Sequence, residues 1–119
     1  MKIAVSSQGT DIDSQVDPRF GRAAYILVFD TVSNGVEVLD NSENLNAFKG
    51  AGIQAAAMVS DSGAEVLLTG YCGPNAFKTL KAAGVKVAND VTGTVAEAVN
   101  GFSDGKLVLA DDANVEGQW

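Results

Sequence analysis

Apolar and polar positions alternate, cluster and change period along the chain in a way that predicts its elements in turn. Lys2 to Ser6 alternates, with Ile3 and Val5 on one face and Ala4 on the other, the signature of a strand. Ala24 to Asp30 is almost continuously apolar through Tyr25, Ile26, Leu27, Val28 and Phe29, as in a strand buried on both faces. Asn34-Gly35 is a strong turn signal, so Val36 to Asn41 should fold back as a hairpin partner. Glu65 to Thr69 and Val85-Lys86-Val87 predict two further short strands.

Between them the period lengthens. Gly50 to Ser62 reads as a helix with Ile53, Ala56, Ala57 and Ser60 on its expected buried face and Gly63 as its stop. The next helix starts with Pro74 near its first position. Its expected stripe is Ala76, Phe77, Leu80 and Ala83, and Gly84 ends it. Thr94-Val95-Ala96-Glu97 has the form of a capping box, followed by Val95, Ala98, Val99 and Phe102 at helical spacing. The order β-β-β-α-β-α-β-α predicts one α/β domain over residues 1–102, a five-stranded mixed sheet flanked by helices. Crossovers from the third to the fourth strand and from the fourth to the fifth imply parallel neighbours, and the hairpin adds an antiparallel edge.

Three stretches fall outside this pattern. Residues 7–23 form a long polar loop, and loops of that length in compact domains are often functional. Residues 41–49 read as a mobile polar connector. Residues 103–119 hold Asp104, Asp111, Asp112 and Glu116 against Lys106 alone, and read as a loosely attached acidic tail with an extended stretch at 106–109.

Composition narrows the chemistry. The 119 residues are 46% hydrophobic, enough for a single core, with no histidine, one cysteine and a net charge of −7. Without histidine there is no Ser–His–Asp or Cys–His machinery and no His-ligated zinc. One cysteine cannot form an internal disulfide or supply the roughly four thiolates of a common iron–sulfur site. The acidic balance disfavours nucleic acid and anionic membranes as partners. No apolar run approaches the ~20 residues of a bilayer span, and no signal-peptide pattern follows Met1, so a cytoplasmic protein is expected.

Ligands of open α/β sheets bind beyond the carboxyl ends of parallel strands. That edge should gather the loop after Ser6, the 70–73 turn and the 89–93 turn, together with the helix starts at Gly50 and Gly73, whose N–H groups suit an anion. Cys72 admits two readings: a thiolate favoured by the helix start, or a small buried filler. Lys78, one turn into that helix, and Lys49, beside Gly50, could add positive charge. Arg19 and Arg22 flank Phe20 and Gly21 and offer planar donors. The plainer alternative is that Asp17 pairs with an arginine and Phe20 pins the loop to the core. Asp11, Asp13 and Asp17 lack the glycine and terminal glutamate of an EF-hand and read as a solvated loop. No phosphate-loop or dinucleotide fingerprint is present.

Taken together, four segments carry a family resemblance: Met1 to Ser7, Val16-Asp17-Pro18-Arg19-Phe20-Gly21-Arg22-Ala23, Gly50-Ala51-Gly52-Ile53-Gln54-Ala55-Ala56 and Thr69-Gly70-Tyr71-Cys72-Gly73-Pro74-Asn75-Ala76. In this order they resemble the dinitrogenase iron–molybdenum cofactor biosynthesis family, which includes NifX-like proteins and the C-terminal part of some NifB proteins. Within it the chain looks most like the orange proteins of sulfate-reducing bacteria. The resemblance implies a ribonuclease-H-like three-layer fold and a non-catalytic carrier of a metal–sulfur cluster. The implied cargo is a molybdenum–copper sulfide cluster, with an iron–molybdenum cofactor precursor as the alternative. Such a cluster brings its own sulfur, which suits a chain without histidine, and copper held by soft sulfide fits metal preference.

The expected cradle is then Gly50 and Gly73, with Arg19, Arg22, Lys49 and Lys78 neutralising charge, Cys72 contacting, guarding or ligating the cluster, and Phe20, Tyr71 and Ile53 as apolar walls. The expected partner is a protein acceptor of the cluster, and a monomer is the expected state. Two other readings stay open. One is an interaction module whose acidic tail docks a basic partner. The other is a carboxylate-dependent nuclease, for which the acid-free strand Lys2 to Ser6 is poorly equipped.

Overall fold

The computed structural model describes residues 1–45 and 50–110. Five strands, β1 (Lys2–Ser7), β2 (Tyr25–Asp30), β3 (Val36–Asp40), β4 (Val66–Leu68) and β5 (Lys86–Ala88), form one sheet in the order β3-β2-β1-β4-β5. β1 is antiparallel to β2, with Val5 opposite Leu27, and β2 is antiparallel to β3, with Leu27 opposite Val38. β4 lies parallel to β1 and β5 parallel to β4.

The third-to-fourth-strand connection therefore does not join parallel neighbours as expected: β4 enters on the far side of β1. Burial explains the placement. Ile3, Ala4 and Val5 are fully buried and need cover on both faces, which only a central strand obtains. On β3, Val36, Glu37, Val38 and Asp40 are exposed, as suits an edge.

The two faces of the sheet carry separate cores, because strand side chains alternate. Ala4, Ile26, Val28, Leu67 and Val87 meet α2 (Ala51–Asp61) and α3 (Pro74–Ala82) through Ala55, Ala56, Val59, Phe77 and Leu80. Ile3, Val5, Leu27, Leu68 and Ala88 meet Val95, Ala98 and Val99 of α4 (Val95–Ser103).

The expected face of α2 is corrected. It buries Ala51, Gly52, Ala55, Ala56 and Val59, leaving Ile53 and Ala57 exposed. An alanine-rich helix offers overlapping stripes, and a close backbone approach selects between them. A Cβ on Gly21 would stand 2.9 Å from both the Cα and the N of Gly52, so Gly52 must face inward. Ala83 is also exposed, because it is the C-cap of α3 just before Gly84 turns to φ +81°.

The described part of the connector after β3, residues 41–45, is better anchored than its polarity suggests. Asn41 is fully buried, donates from Nδ2 to the Ala23 carbonyl at 2.8 Å, and accepts at Oδ1 from Asn44 Nδ2 at 2.8 Å. A short helix α1 (Ser42–Leu45) follows it. After α4, Leu109 forms an antiparallel bridge with Ala88, and the Ala110 N–H donates to the Val87 carbonyl at 2.7 Å. Lys49 and residues 111–119 lie outside the described residues.

Candidate functional site

The long loop after β1 is stapled to the carboxyl edge of the parallel strands. Asp17 N–H donates to the Ser6 carbonyl at 2.9 Å, and Val16 N–H to the Gly93 carbonyl at 2.9 Å. Ser6 Oγ donates to the Asp17 carbonyl at 2.7 Å and lies 2.8 Å from Thr69 Oγ1. The loop then runs beside the turn after β4. Arg19 and Tyr71 form a parallel bridge, Phe20 N–H donates to the Tyr71 carbonyl at 3.2 Å, and Tyr71 N–H donates to the Pro18 carbonyl. Gly70 makes this approach possible, since a Cβ there would lie 2.6 Å from Pro18 Cα. Gly70 thus serves loop packing.

This stapling, with the contact of Gly21 on Gly52, sets the starts of α2 and α3 side by side. Between them lies a small cavity of about 60 Å³, lined by Gly50, Gly52, Ile53, Gly73, Pro74, Asn75 and Ala76. Both helices begin at a glycine N-cap, Gly50 at φ +77° and Gly73 in extended conformation. Neither start has a side-chain cap, and neither first turn holds an acidic residue. The first intrahelical bonds are Gln54 N–H to Gly50 and Phe77 N–H to Gly73, both 2.9 Å. The N–H groups of Ala51, Gly52, Ile53, Asn75 and Ala76 precede those bonds and so remain outside the helical ladders.

α4 shows the contrast. Thr94 Oγ1 accepts from Glu97 N–H at 3.1 Å, and Glu97 Oε1 accepts from Thr94 N–H at 2.9 Å. The Thr94 bond holds the Glu97 carboxyl below its ordinary value. The helix starts at the cavity therefore keep positive dipole ends that nothing of their own neutralises.

Of the expected site residues, the structure brings Gly50, Ile53 and Gly73 together as lining, with Ile53 45% exposed. Tyr71, 42% exposed, and Arg19, with a 60% exposed side chain, sit side by side on the bridged loops. Arg19 Nε is 4.0 Å from Asp17 Oδ1, and its own N–H donates to that oxygen at 2.9 Å, so Asp17 does pair with an arginine. Arg22 is half-buried at the end of the Phe20–Arg22 3₁₀ turn. Lys78 is exposed on α3 and does not line the cavity.

Two expectations are corrected. Phe20 is fully buried in the core beneath α2 and α3, so it pins the loop and walls no surface site. Cys72 is also fully buried in that core, and burial pushes its thiol up to about 12. Desolvation outweighs the helix dipole there, so the thiol stays protonated at neutral pH. Gly52, Pro74, Asn75 and Ala76 line the cavity as well, beyond the residues expected at the site. Their signal was the short Gly-Ala-Gly and Gly-Pro-Asn runs at the two helix starts.

Among the described residues no group of three or more Cys, Asp or Glu side chains could hold a metal ion. No helix among them is long and apolar enough to cross a membrane. The site is thus a pair of helix starts, with backbone N–H groups outside the helical ladders, around one small cavity on a mixed α/β scaffold, an arrangement of the kind that suits a binding or carrier protein.

Known proteins agree with that class. A model of the family described as dinitrogenase iron–molybdenum cofactor matches residues 1–105, and the chain belongs to this family. The apo form of the orange protein from Desulfovibrio gigas is 47% identical with a TM-score of 0.93, covering 96% of each chain. A NifB-type protein from Thermotoga is 40% identical with a TM-score of 0.84, covering 98% of each chain. An uncharacterised protein of Methanocaldococcus jannaschii is 25% identical over 112 residues, 90% of this chain and 93% of its own. The family resemblance carried by the four sequence segments is borne out, and it supports a role in carrying or building a metal cluster.

Proposed function

We propose that this chain is a non-catalytic carrier that holds an anionic metal–sulfur cluster, a molybdenum–copper sulfide, against the cavity between α2 and α3. The observation that carries the reading is the convergence of two uncapped helix starts, free of acidic residues, on one glycine-walled cavity. N–H donors of Gly52, Ile53, Asn75 and Ala76 would face the terminal sulfides. The cluster supplies its own soft ligands, so the protein need offer only shape, donors and charge. That division of labour is supported by the burial of Cys72, which keeps the lone thiol out of the ligand set.

The cavity measures only about 60 Å³, so the cargo would sit partly outside it. Ile53 and Tyr71 would flank the protruding part, and Arg19, Arg22, Lys49 and Lys78 would lower its charge at longer range. A protein acceptor that takes up the exposed part is consistent with this. The order β3-β2-β1-β4-β5 supports reading the scaffold as ribonuclease-H-like, and a cytoplasmic setting suits a free thiol. An iron–molybdenum cofactor precursor is the alternative cargo, favoured by the family match.

The test is to incubate apo-protein anaerobically with tetrathiomolybdate and copper(I), pass it through gel filtration, and measure molybdenum, copper and visible charge-transfer absorption. Co-eluting molybdenum and copper are expected. Protein free of molybdenum would contradict the reading, and retention of an iron–molybdenum precursor alone would favour the alternative.

A further inference from the structure

The two edges of the sheet differ. β5 is bridged by Leu109, opposite Ala88, whereas nothing among the described residues bridges the outer side of β3. The β2–β3 ladder fixes which backbone groups that side exposes. Asp30 N–H donates to the Gly35 carbonyl at 2.9 Å and Asn41 N–H to the Ala24 carbonyl at 3.0 Å, at the two ends of one register. Bonded and non-bonded pairs alternate in an antiparallel ladder, so Glu37 and Leu39 bond inward to Val28 and Ile26. The N–H and C=O groups of Val36, Val38 and Asp40 therefore point outward, away from β2.

The side chains along this edge are apolar and acidic. Val36 is 39% exposed and Val38 43% exposed, on the face they share with half-buried Phe29 and Tyr25. Asp40 is exposed on that same face and Glu37 on the opposite one. Bonds from the Ser42 hydroxyl and N–H hold the Asp40 carboxyl below its ordinary value, so it is charged at neutral pH. Residues 23–48 contain four acids, Asp30, Glu37, Asp40 and Glu43, and no lysine or arginine. Charges on an edge strand reject some partners and admit others. A second copy of β3 would bring the same acids and no cation to meet them. A basic strand would form opposite-charge cross-strand pairs.

We propose that β3 is a docking edge for an extended basic segment of a protein partner, which adds to the sheet as a further strand and sets cations opposite Glu37 and Asp40. Glu37 and Asp40 are three residues apart and on opposite faces, so the partner needs two basic residues at that same spacing. A β-branched residue opposite Val38 would continue the apolar face of Val36, Val38 and Phe29. Main-chain bonds to Val36, Val38 and Asp40 give affinity, and the two acids give selectivity. The proposal is independent of the cluster reading, since no residue of β3 lines the α2–α3 cavity.

The test adds the end-capped peptide Thr-Lys-Thr-Val-Lys-Val-Thr to the ¹⁵N-labelled full chain. Run antiparallel to β3, its lysines fall opposite Asp40 and Glu37, and its valines opposite Val38 and Val36. Amide hydrogen exchange read by NMR should slow at least about tenfold at Val36, Val38 and Asp40. Glu37 and Leu39, already bonded to β2, should change little. The same peptide with glutamate in place of both lysines should bind at least about tenfold more weakly. Val38→Pro removes an outward N–H that the β2 ladder does not use, a position where an edge strand accepts proline. A thermal melt should therefore show a folded variant, and that variant should no longer bind the lysine peptide. Glu37→Lys, a change at an exposed side chain, should weaken binding of the lysine peptide and checks the charge pairing separately. No slowing at Val36, Val38 and Asp40 at saturating peptide would overturn the proposal. So would equal binding of the two peptides, or binding that survives both variants. Slowed exchange at those three amides that grows with protein concentration alone would also overturn it, and would assign the edge to a second copy.

Discussion

Asn75→Asp separates anion binding from stability, because the account requires the two to change in opposite directions. Asn75 is exposed, sits at the second position of α3, and lines the α2–α3 cavity. The substitution keeps size and shape and adds one negative charge to a first turn that has none. A carboxylate near a helix start stabilises by about 0.3–1 kcal/mol, so Tm should rise by about 1–4 °C. For the cargo the sign reverses. A sphere of the cavity's volume has a radius of about 2.4 Å, which puts the new carboxylate about 5 Å from a ligand atom seated there. Each unit of ligand charge then meets about 0.8 kcal/mol of repulsion at the dielectric constant of water, and about 3 kcal/mol at the effective value of 20 near a protein surface. A terminal group carrying two charges should bind at least about tenfold more weakly even at the lower figure. The Debye length of about 8 Å at physiological salt exceeds that separation, so the effect should persist there. The assay is molybdenum retained after gel filtration across a tetrathiomolybdate–copper titration, alongside a thermal melt. Retention equal to the parent protein with a raised Tm would refute the cradle assigned to α3.

Cys72→Ser should leave molybdenum retention unchanged while costing about 1–3 kcal/mol of stability, because it places a hydroxyl in an apolar core; charge reversal at Arg19 or Lys78 should weaken retention more than this variant does. The thiol's raised value of about 12 against an ordinary 9.0 means the neutral form is favoured in the fold. Its contribution to stability is complete below pH 9 and is lost as pH climbs toward 12, measurable by denaturant titration at several pH values. Gly70→Ala should lower Tm by about 4 °C or more, since the added methyl meets the Pro18 backbone at 2.6 Å. Thr94→Ala should cost about 1 kcal/mol by opening the cap of α4. It should also flatten the acid limb of the stability profile, because the lowered Glu97 carboxyl contributes above pH 4.5 and loses that contribution as pH falls.

What could be read from the residues alone follows the range of the interactions. The Thr94–Glu97 cap is decided within four residues, and it forms as its spacing predicts. The strand pattern of β1 and β2 and the stops at Gly63 and Gly84 are similarly local, both glycines taking positive φ. The position of β4 beside β1 is not local, because it depends on which strand most needs cover on both faces. The inward face of α2 was hidden for a related reason. Alanine spacing supports several stripes, and the choice is made by a contact between Gly21 and Gly52 across the chain. The candidate site divides along the same line. Gly50 and Gly73 were legible as helix starts with open N–H groups, whereas Cys72 and Phe20 look chemically available in sequence and are removed by burial. Asn75 and Ala76 become lining residues only because two helices far apart in sequence begin side by side.

The central claim is that an anionic cluster is held by backbone N–H groups at the starts of α2 and α3. An amide-resolved NMR titration of ¹⁵N-labelled apo-protein with preformed molybdenum–copper sulfide tests it most directly. The account predicts that the largest shifts fall on Gly52, Ile53, Asn75 and Ala76, with the amides of β3 and of the Leu109 bridge little moved. Shifts concentrated elsewhere, with those four amides unchanged at saturating cluster, would contradict it.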